Sequence, residues 1–237
     1  MKDFQKRMLE ILIEFDKLAK KHNLTYWLDH GTLLGALRHK GFIPWDDDLD
    51  ISMPRKDYEK LKTLKNELPG WIFFQDKNTD KKVPVHYIKL RDNNSLYIDK
   101  WEKNKKIKYH QGIFIDIFPI NCINKKYAKI YKFLMNFAKF FSNRILRIDF
   151  LAKIFIKTLN SFHTEKGNFC VSGGECMHYV IHVPKEIVFP LKEIEFEGRF
   201  FPAPNNPDKY LKSIFGDYMK LPPKEKRKIH AYKIEVR

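Results

Sequence analysis

The nine-residue run Gly112 to Ile120, GIFIDIFPI, constrains this chain more than any other segment. Its apolar, strand-favouring residues read as a buried strand. One carboxylate, Asp116, sits in the middle of it. An unpaired carboxylate buried among apolar residues is costly, so the fold must supply it with a partner or a use.

A second acidic element supplies a reason. Asp48-Leu49-Asp50-Ile51-Ser52-Met53 alternates carboxylates with apolar residues and reads as another strand. Residues two apart on a strand point to the same face, so Asp48 and Asp50 converge. Asp46 shares their parity and Asp47 does not. Carboxylates brought this close repel one another, and a divalent cation removes the cost. Mg²⁺ is commonly held by carboxylates with positions left open for phosphate oxygens, and Mn²⁺ fits the same donors. Asp116 adds a third ligand or a base if its strand lies beside that of Asp50. The other readings are a solvated acidic turn for 46–50 and a backbone-bonded structural carboxylate for Asp116.

Upstream, Thr25 to Asp29 is a short strand-prone run, His30-Gly31-Thr32 reads as a turn, and Leu33 to His39 as a short helix. A small residue and a hydroxyl at a helix start let backbone N–H groups approach a phosphate. An ordinary turn is the plainer reading. Arg38 and Lys40, and more weakly Lys89 and Arg91, are candidate phosphate partners.

Around these elements, apolar residues recur at helical spacing from Phe4 to Ala19, and Lys56 to Glu67 fits a helix closed by Pro69-Gly70. Short strands are expected at 71–74, 85–90 and 96–98, with a basic loop from Lys100 to His110. Between 125 and 166 there are ten basic residues and two acidic ones, interleaved with Tyr131, Phe133, Leu134, Phe137, Leu151, Ile154, Phe155 and Leu159. That pattern predicts one or two basic amphipathic helices, either core-packing, membrane-facing or nucleic-acid-contacting. Short strands return over 167–200. Asn206 caps and Pro207 opens a last helix that ends at Gly216, and a basic tail follows. The fold class is therefore α+β, a mixed sheet flanked by helices, with a core over 1–124, a helical insertion over 125–166 and a completing segment over 167–237.

The chain carries 45 Lys and Arg against 29 Asp and Glu, a formal charge of +16, which implies an anionic partner. Three cysteines do not make a disulfide framework and point to a reducing compartment. Cys170, Cys176 and His178, with His163 or His182, lack a usual zinc spacing. The charged N-terminal segment lacks a secretory apolar core, and no stretch approaches the ~20 apolar residues that span a bilayer. A cytoplasmic protein is expected.

A Gly-Thr turn, an Asp-x-Asp pair and a lone Asp on a later strand form the active-site plan of the polymerase-β-like nucleotidyltransferase fold. More narrowly, HGTLLGALRHKGFIPWDDDLDI resembles the signature of the LicD family, which includes phosphocholine transferases and is related to fukutin and fukutin-related protein. GIFIDIFPI, FEGRFFPAP at 196–204 and YLKSIFGDYMKLPPKEKRKIH at 210–230, which includes His230, fit the same family. The resemblance implies transfer of a phospho-alcohol, such as phosphocholine or a phospho-polyol, from a CDP-linked donor to a hydroxyl of a cell-surface glycan, with CMP leaving. It implies Mg²⁺ on Asp48 and Asp50, with Asp46 near the metal. It also implies Asp116 as third ligand or base, and Gly31 and Thr32 on donor phosphate. The family's acceptors are often lipid-linked, which implies a place at the inner face of the cytoplasmic membrane. A quaternary ammonium donor calls for an aromatic cage, with Trp45 foremost and Trp101, Tyr97 and Tyr26 behind it. Two other functions share parts of the pattern. One is an NTP-dependent nucleotidyltransferase. The other is a non-catalytic basic module for RNA or membrane, although paired carboxylates repel nucleic-acid phosphates and no nucleic acid is expected as a partner.

Overall fold

The computed structural model describes every residue except 146–148, 177–180, 224, 226 and 228, and of these described residues all side chains but those of 139–145 and 149. Seven α-helices and eleven strands follow one another along the described chain. The first half runs α1 (Asp3–Lys21), β1 (Trp27–Leu28), α2 (His30–His39), β2 (Asp50–Pro54), α3 (Arg55–Thr63), β3 (Ile72–Gln75), β4 (Ile88–Asp92), β5 (Ser95–Asp99) and β6 (Phe114–Ile123). The second runs α4 (Ala128–Ile145), α5 (Asp149–Asn160), β7 (Phe169–Ser172), β8 (His182–Pro184), α6 (Lys185–Val188), β9 (Lys192–Phe196), β10 (Arg199–Ala203), α7 (Pro207–Phe215) and β11 (Ala231–Val236).

Strand β6 organises the sheet. Its ten residues are nearly all buried, as the apolar run requires. It pairs with β2 in parallel and with β4 and β7 antiparallel. With β1, β3 and β8 these make a mixed sheet of seven strands in which β2–β6 is the parallel pair. Two small ribbons, β9–β10 and β5–β11, lie outside it. The α+β expectation of a mixed sheet with flanking helices therefore holds.

Helix α1 follows its sequence pattern. Met8, Ile11, Leu12 and Phe15 are fully buried against the core, and its Gln5 side chain donates to the Asp46 carbonyl at 3.1 Å. Helix α7 starts at Pro207 under an Asn206 cap and stops at Gly216, as read from the sequence. Three differences from expectation bear on the site. Helix α2 begins at His30, because the buried Asp29 carboxylate accepts from the His30 N–H at 2.7 Å and caps it, so His30-Gly31-Thr32 is its first turn. The acidic strand begins at Asp50, with Asp46 to Leu49 in loop. The basic tail contains a strand, β11, which pairs with β5.

One polar junction ties α3, β6 and the end of α5 together. The Arg55 guanidinium grips Glu175 through two 2.7 Å bonds and also donates to Asn121 and Asn160. Burial alone would raise the Glu175 pKa, but the Arg55 hydrogen bonds and charge overcome it and hold the carboxyl below its ordinary value of 4.5. Removing Glu175 leaves the largely buried Arg55 charge with only the half-exposed Glu59 carboxylate, at 3.1 Å, to pair with it, so Glu175→Ala is expected to cost about 3 kcal/mol in urea unfolding, whereas replacing both with Arg55→Met and Glu175→Leu recovers much of the loss. Because the folded pKa is depressed, this contribution is complete above the unfolded pKa and fades as pH falls through the folded one. Acid unfolding of the wild type should therefore be steeper below pH 4.5 than that of the double variant.

Candidate active site

The β2–β6 register sets Asp50 directly beside Asp116. The pairing continues one residue upstream, where the Asp116 N–H donates to the Leu49 carbonyl at 2.8 Å. Asp48, in the loop just before β2, lies close enough to interact with Asp116 and Asp50, and Asp46 is in turn hydrogen-bonded to Asp48. All four carboxylates singled out in the sequence thus meet at one place.

Their electrostatics follow from that crowding. Asp50 is buried, its Oδ1 has no hydrogen-bond partner, and its pKa lies well above the ordinary value because of burial and then the charges of Asp48 and Asp116. Burial and Asp48 push Asp46 up to about 8. At neutral pH Asp46 therefore keeps a proton, which it shares with Asp48. Burial raises Asp48 as well, against the pull of His230. Asp116 is buried with one oxygen on the Lys89 ammonium at 2.5 Å and the other 3.5 Å from the Tyr87 hydroxyl.

Asp47 faces elsewhere, as its parity predicts. It is fully buried and accepts from the Tyr97 hydroxyl and from the backbone N–H groups of His230 and Ala231 at 3.1, 3.0 and 2.6 Å. Burial would raise its pKa, but the hydrogen bonds from His230 and Ala231 hold it low. The same contact brings the His230 ring to 3.3 Å from Asp47 and 3.7 Å from Asp48. Hydrogen bonding to Asp47, strengthened by the other acids, carries His230 up to about 9, so it is cationic at neutral pH. His230 was legible only as part of the family pattern. Its place depends on β11, which local sequence did not reveal.

The other predicted residues separate into two sets. Gly31 lies against Asp46: a Cβ there would stand 2.8 Å from Asp46 Oδ2, so the missing side chain lets the carboxylate approach the start of α2 and a larger residue would push it aside. The Thr32 hydroxyl accepts from the Asp50 N–H at 2.8 Å and thereby fixes β2 to α2. Arg38, half-buried, bonds the Tyr218 carbonyl and feels the charges of both Arg227 and Asp46. Arg227 lies over the Trp45 ring at 4.2 Å, a neighbour that sequence reading did not identify. These two guanidiniums and Trp45 form one basic edge beside the carboxylates.

Lys40, by contrast, is a left-handed helix cap whose ammonium pairs with Glu195 in solvent. Arg91 is buried on Gln75 and the Gly112 carbonyl, and Lys89 on Asp116. Tyr26 is a core residue bonded to Asp16. Trp101 and Tyr97, with Asp99, Glu102 and Tyr87, line a cavity of about 170 Å³ that opens beside Asp48 and Asp116, whereas Trp45 lies outside it. The zinc reading finds no support among the described residues. Cys122 and Cys170 face each other across β6–β7, His163 and His182 bond backbone carbonyls, and His178 lies outside the described residues.

Among the described residues, no three His, Cys, Asp or Glu side chains are already arranged to hold a metal ion. The donor set nonetheless fits a hard divalent cation. It consists of carboxylate oxygens, one of them buried without a partner, and its mutual repulsion is now relieved by a proton on Asp46.

Comparison with known proteins agrees with this geometry. Residues 23–134, which contain α2, the acidic loop, β2 and β6, match the nucleotidyltransferase domain of LicD, FKTN and FKRP. Across 94% of its length the chain is 28% identical to the lipopolysaccharide cholinephosphotransferase LicD of Haemophilus influenzae, of which it covers 92%. The uncharacterized protein RT0683 of Rickettsia typhi is 29% identical over 64% of this chain and 54% of its own. The ribitol 5-phosphate transferase FKRP of Mus musculus is 33% identical over 32% of this chain and 16% of its own. A matched domain that coincides with the carboxylate cluster, together with a relative aligned almost end to end, gives residues 23–134 a LicD-type domain and makes the chain similar to a LicD phosphotransferase over most of its length.

Proposed function

We propose that the chain moves a phospho-alcohol, phosphocholine or a phospho-polyol, from a CDP-linked donor to a hydroxyl of a cell-surface glycan and releases CMP, on a polymerase-β-like nucleotidyltransferase plan. The observation that carries this reading is the parallel register that puts Asp50 beside Asp116, with Asp46 and Asp48 joining them. The printed activities of two relatives, one a cholinephosphotransferase and one a ribitol 5-phosphate transferase, support a phospho-alcohol as the group transferred.

Asp48 and Asp50 would hold Mg²⁺ or Mn²⁺, with Asp46 releasing its proton to join them and Asp116 beside them. Bound there, the ion would neutralise charge on the donor diphosphate as its bridging bond breaks. Asp116 takes the proton of the acceptor hydroxyl. The acceptor oxygen bonds to the phosphorus that carries the alcohol, and the bridging oxygen departs with CMP. Lys89 holds Asp116 in place and leaves its other oxygen toward the cavity. Arg38 and Arg227 suit the donor phosphates, because a guanidinium fork matches phosphate oxygens and neither spends its charge on a carboxylate among the described residues. Trp101, Tyr97, Asp99 and Glu102 give the cavity aromatic faces and carboxylates, groups that suit a quaternary ammonium, while Lys89, Arg91 and His230 line it as well.

Purified protein given CDP-choline, Mg²⁺ and a lipopolysaccharide acceptor should release CMP, should stop with EDTA and should resume with added Mg²⁺ or Mn²⁺. Asp48→Asn and Asp50→Asn should each lower turnover at least about a hundredfold. Full turnover in both variants, or pyrophosphate from an NTP in place of CMP, would overturn the assignment.

The same cluster predicts an opposite effect on stability. Asp50→Asn replaces a buried carboxyl whose ionisation is opposed by burial and by its acidic neighbours, so it should raise the thermal midpoint of the metal-free protein by about 2–4 °C while abolishing turnover. Differential scanning calorimetry without divalent ions is the direct measurement, and a lowered midpoint would mean that Asp50 is structural.

A further inference from the structure

Helices α4 and α5 stand between β6 and β7 and pack on them through one face. Ala128, Tyr131, Met135 and Leu159 close a small core with Ile123, Phe169 and Val171. A helix on a protein surface normally carries a single apolar stripe, and the buried one is accounted for. Helix α4 nevertheless carries a second. Ile130 and Phe133, three apart, are exposed, with 67% of Phe133 in solvent. On α5, Phe150, Leu151 and Ile154 are exposed likewise, Phe150 by 70%. Large apolar side chains grouped in this way mark a surface that meets another phase or another molecule.

Charge selects between these. Lys126, Lys129, Lys132 and Lys157 are exposed on the same segment, and across residues 125–160 the sequence holds one acidic residue, Asp149. Apolar rings bordered by ammonium groups match an anionic headgroup layer over acyl chains, with the lysine stems reaching along the interface. A second copy of the chain would set these lysines against their own kind, a like-charge opposition that disfavours pairing. No described helix is long and apolar enough to cross a membrane, so contact would be lateral.

We propose that the outer faces of α4 and α5 form a docking surface for an anionic lipid bilayer, with Phe133 and Phe150 entering the interface and the lysines pairing with headgroups. The proposal rests on the surface alone and stands apart from the transfer chemistry.

The test is co-sedimentation of the full chain with phosphatidylcholine vesicles, with and without about 30 mol % phosphatidylserine. The protein should pellet with the anionic vesicles and largely stay in solution with the neutral ones. Raising salt from about 0.1 M to about 1 M, which shortens the Debye length to about 3 Å, should release it. Phe133→Ser with Phe150→Ser should weaken binding at least about tenfold while CMP release from a soluble acceptor is unchanged. Lys129→Glu with Lys132→Glu changes only solvent-exposed side chains, so it keeps the test decisive if the aromatic variant misfolds, and it should remove the preference for phosphatidylserine. Wild-type protein that ignores anionic vesicles, or variants that bind as the wild type does, would overturn the proposal. So would sedimentation velocity showing a wild-type dimer that the phenylalanine substitutions dissociate, since the face would then join two copies.

Discussion

Four carboxylates brought into one poorly solvated cluster repel each other, and most of the surrounding architecture can be understood as containing that repulsion. The parallel pairing of β2 with β6 creates the problem by placing Asp50 beside Asp116. Antiparallel β4 supplies the first remedy: Lys89, opposite Asp116 in register, puts its ammonium on that carboxylate. Burial lowers the Lys89 pKa and Arg91 lowers it further, while Asp116 and Asp50 offset part of that, so the ammonium is held below its ordinary value by its surroundings and supported by the carboxylates it serves. A second remedy is the proton that Asp46 holds near neutrality.

The cluster also explains why opposite ends of the chain meet. The N-terminal helix reaches the acidic loop through Gln5, and the C-terminal strand reaches it through His230 and Ala231. Buried charges are tolerable only when hydrogen-bonded, and a loop of consecutive acids has too few donors of its own. Donors therefore come from elements remote in sequence. The sequestered Asp29 follows the same rule, since its carboxylate is shared among the His30 N–H, the Ser52 hydroxyl and the His30 ring.

What could be read from the sequence was whatever has a local cause. The apolar period of α1, the Asn206-Pro207 opening and Gly216 ending of α7, and the buried run of β6 are each set by residues within a few positions of one another. The shared parity of Asp46, Asp48 and Asp50 was legible for the same reason. Strand β11 was not, because its half-exposed residues show no firm alternation and its partner β5 lies more than a hundred residues earlier. With it went the location of His230, and Arg227 shared that fate as a member of the same tail. The partner of Lys40 was not legible because a left-handed cap turns the chain toward the β9–β10 hairpin, where Glu195 stands. Lys89 was a weaker candidate for phosphate from its charge, and its actual partner, Asp116, could be known only from the register of β4 on β6.

That register also shows why Asp47, which binds nothing in the proposed chemistry, is as constrained as its neighbours. Asp47 lies between Asp46 and Asp48 in the same short loop, so fixing it fixes the path of the chain on both sides of it. Three donors from Tyr97, His230 and Ala231 hold Asp47 toward the β5–β11 ribbon, while Asp46 and Asp48 gather with Asp50 and Asp116. The β5–β11 ribbon lies outside the main sheet, yet it sets the direction of the carboxylates. Orientation is thus imposed from behind by a satisfied, low-pKa carboxylate, which leaves the front of the cluster free to remain strained, partly protonated and ready for a cation.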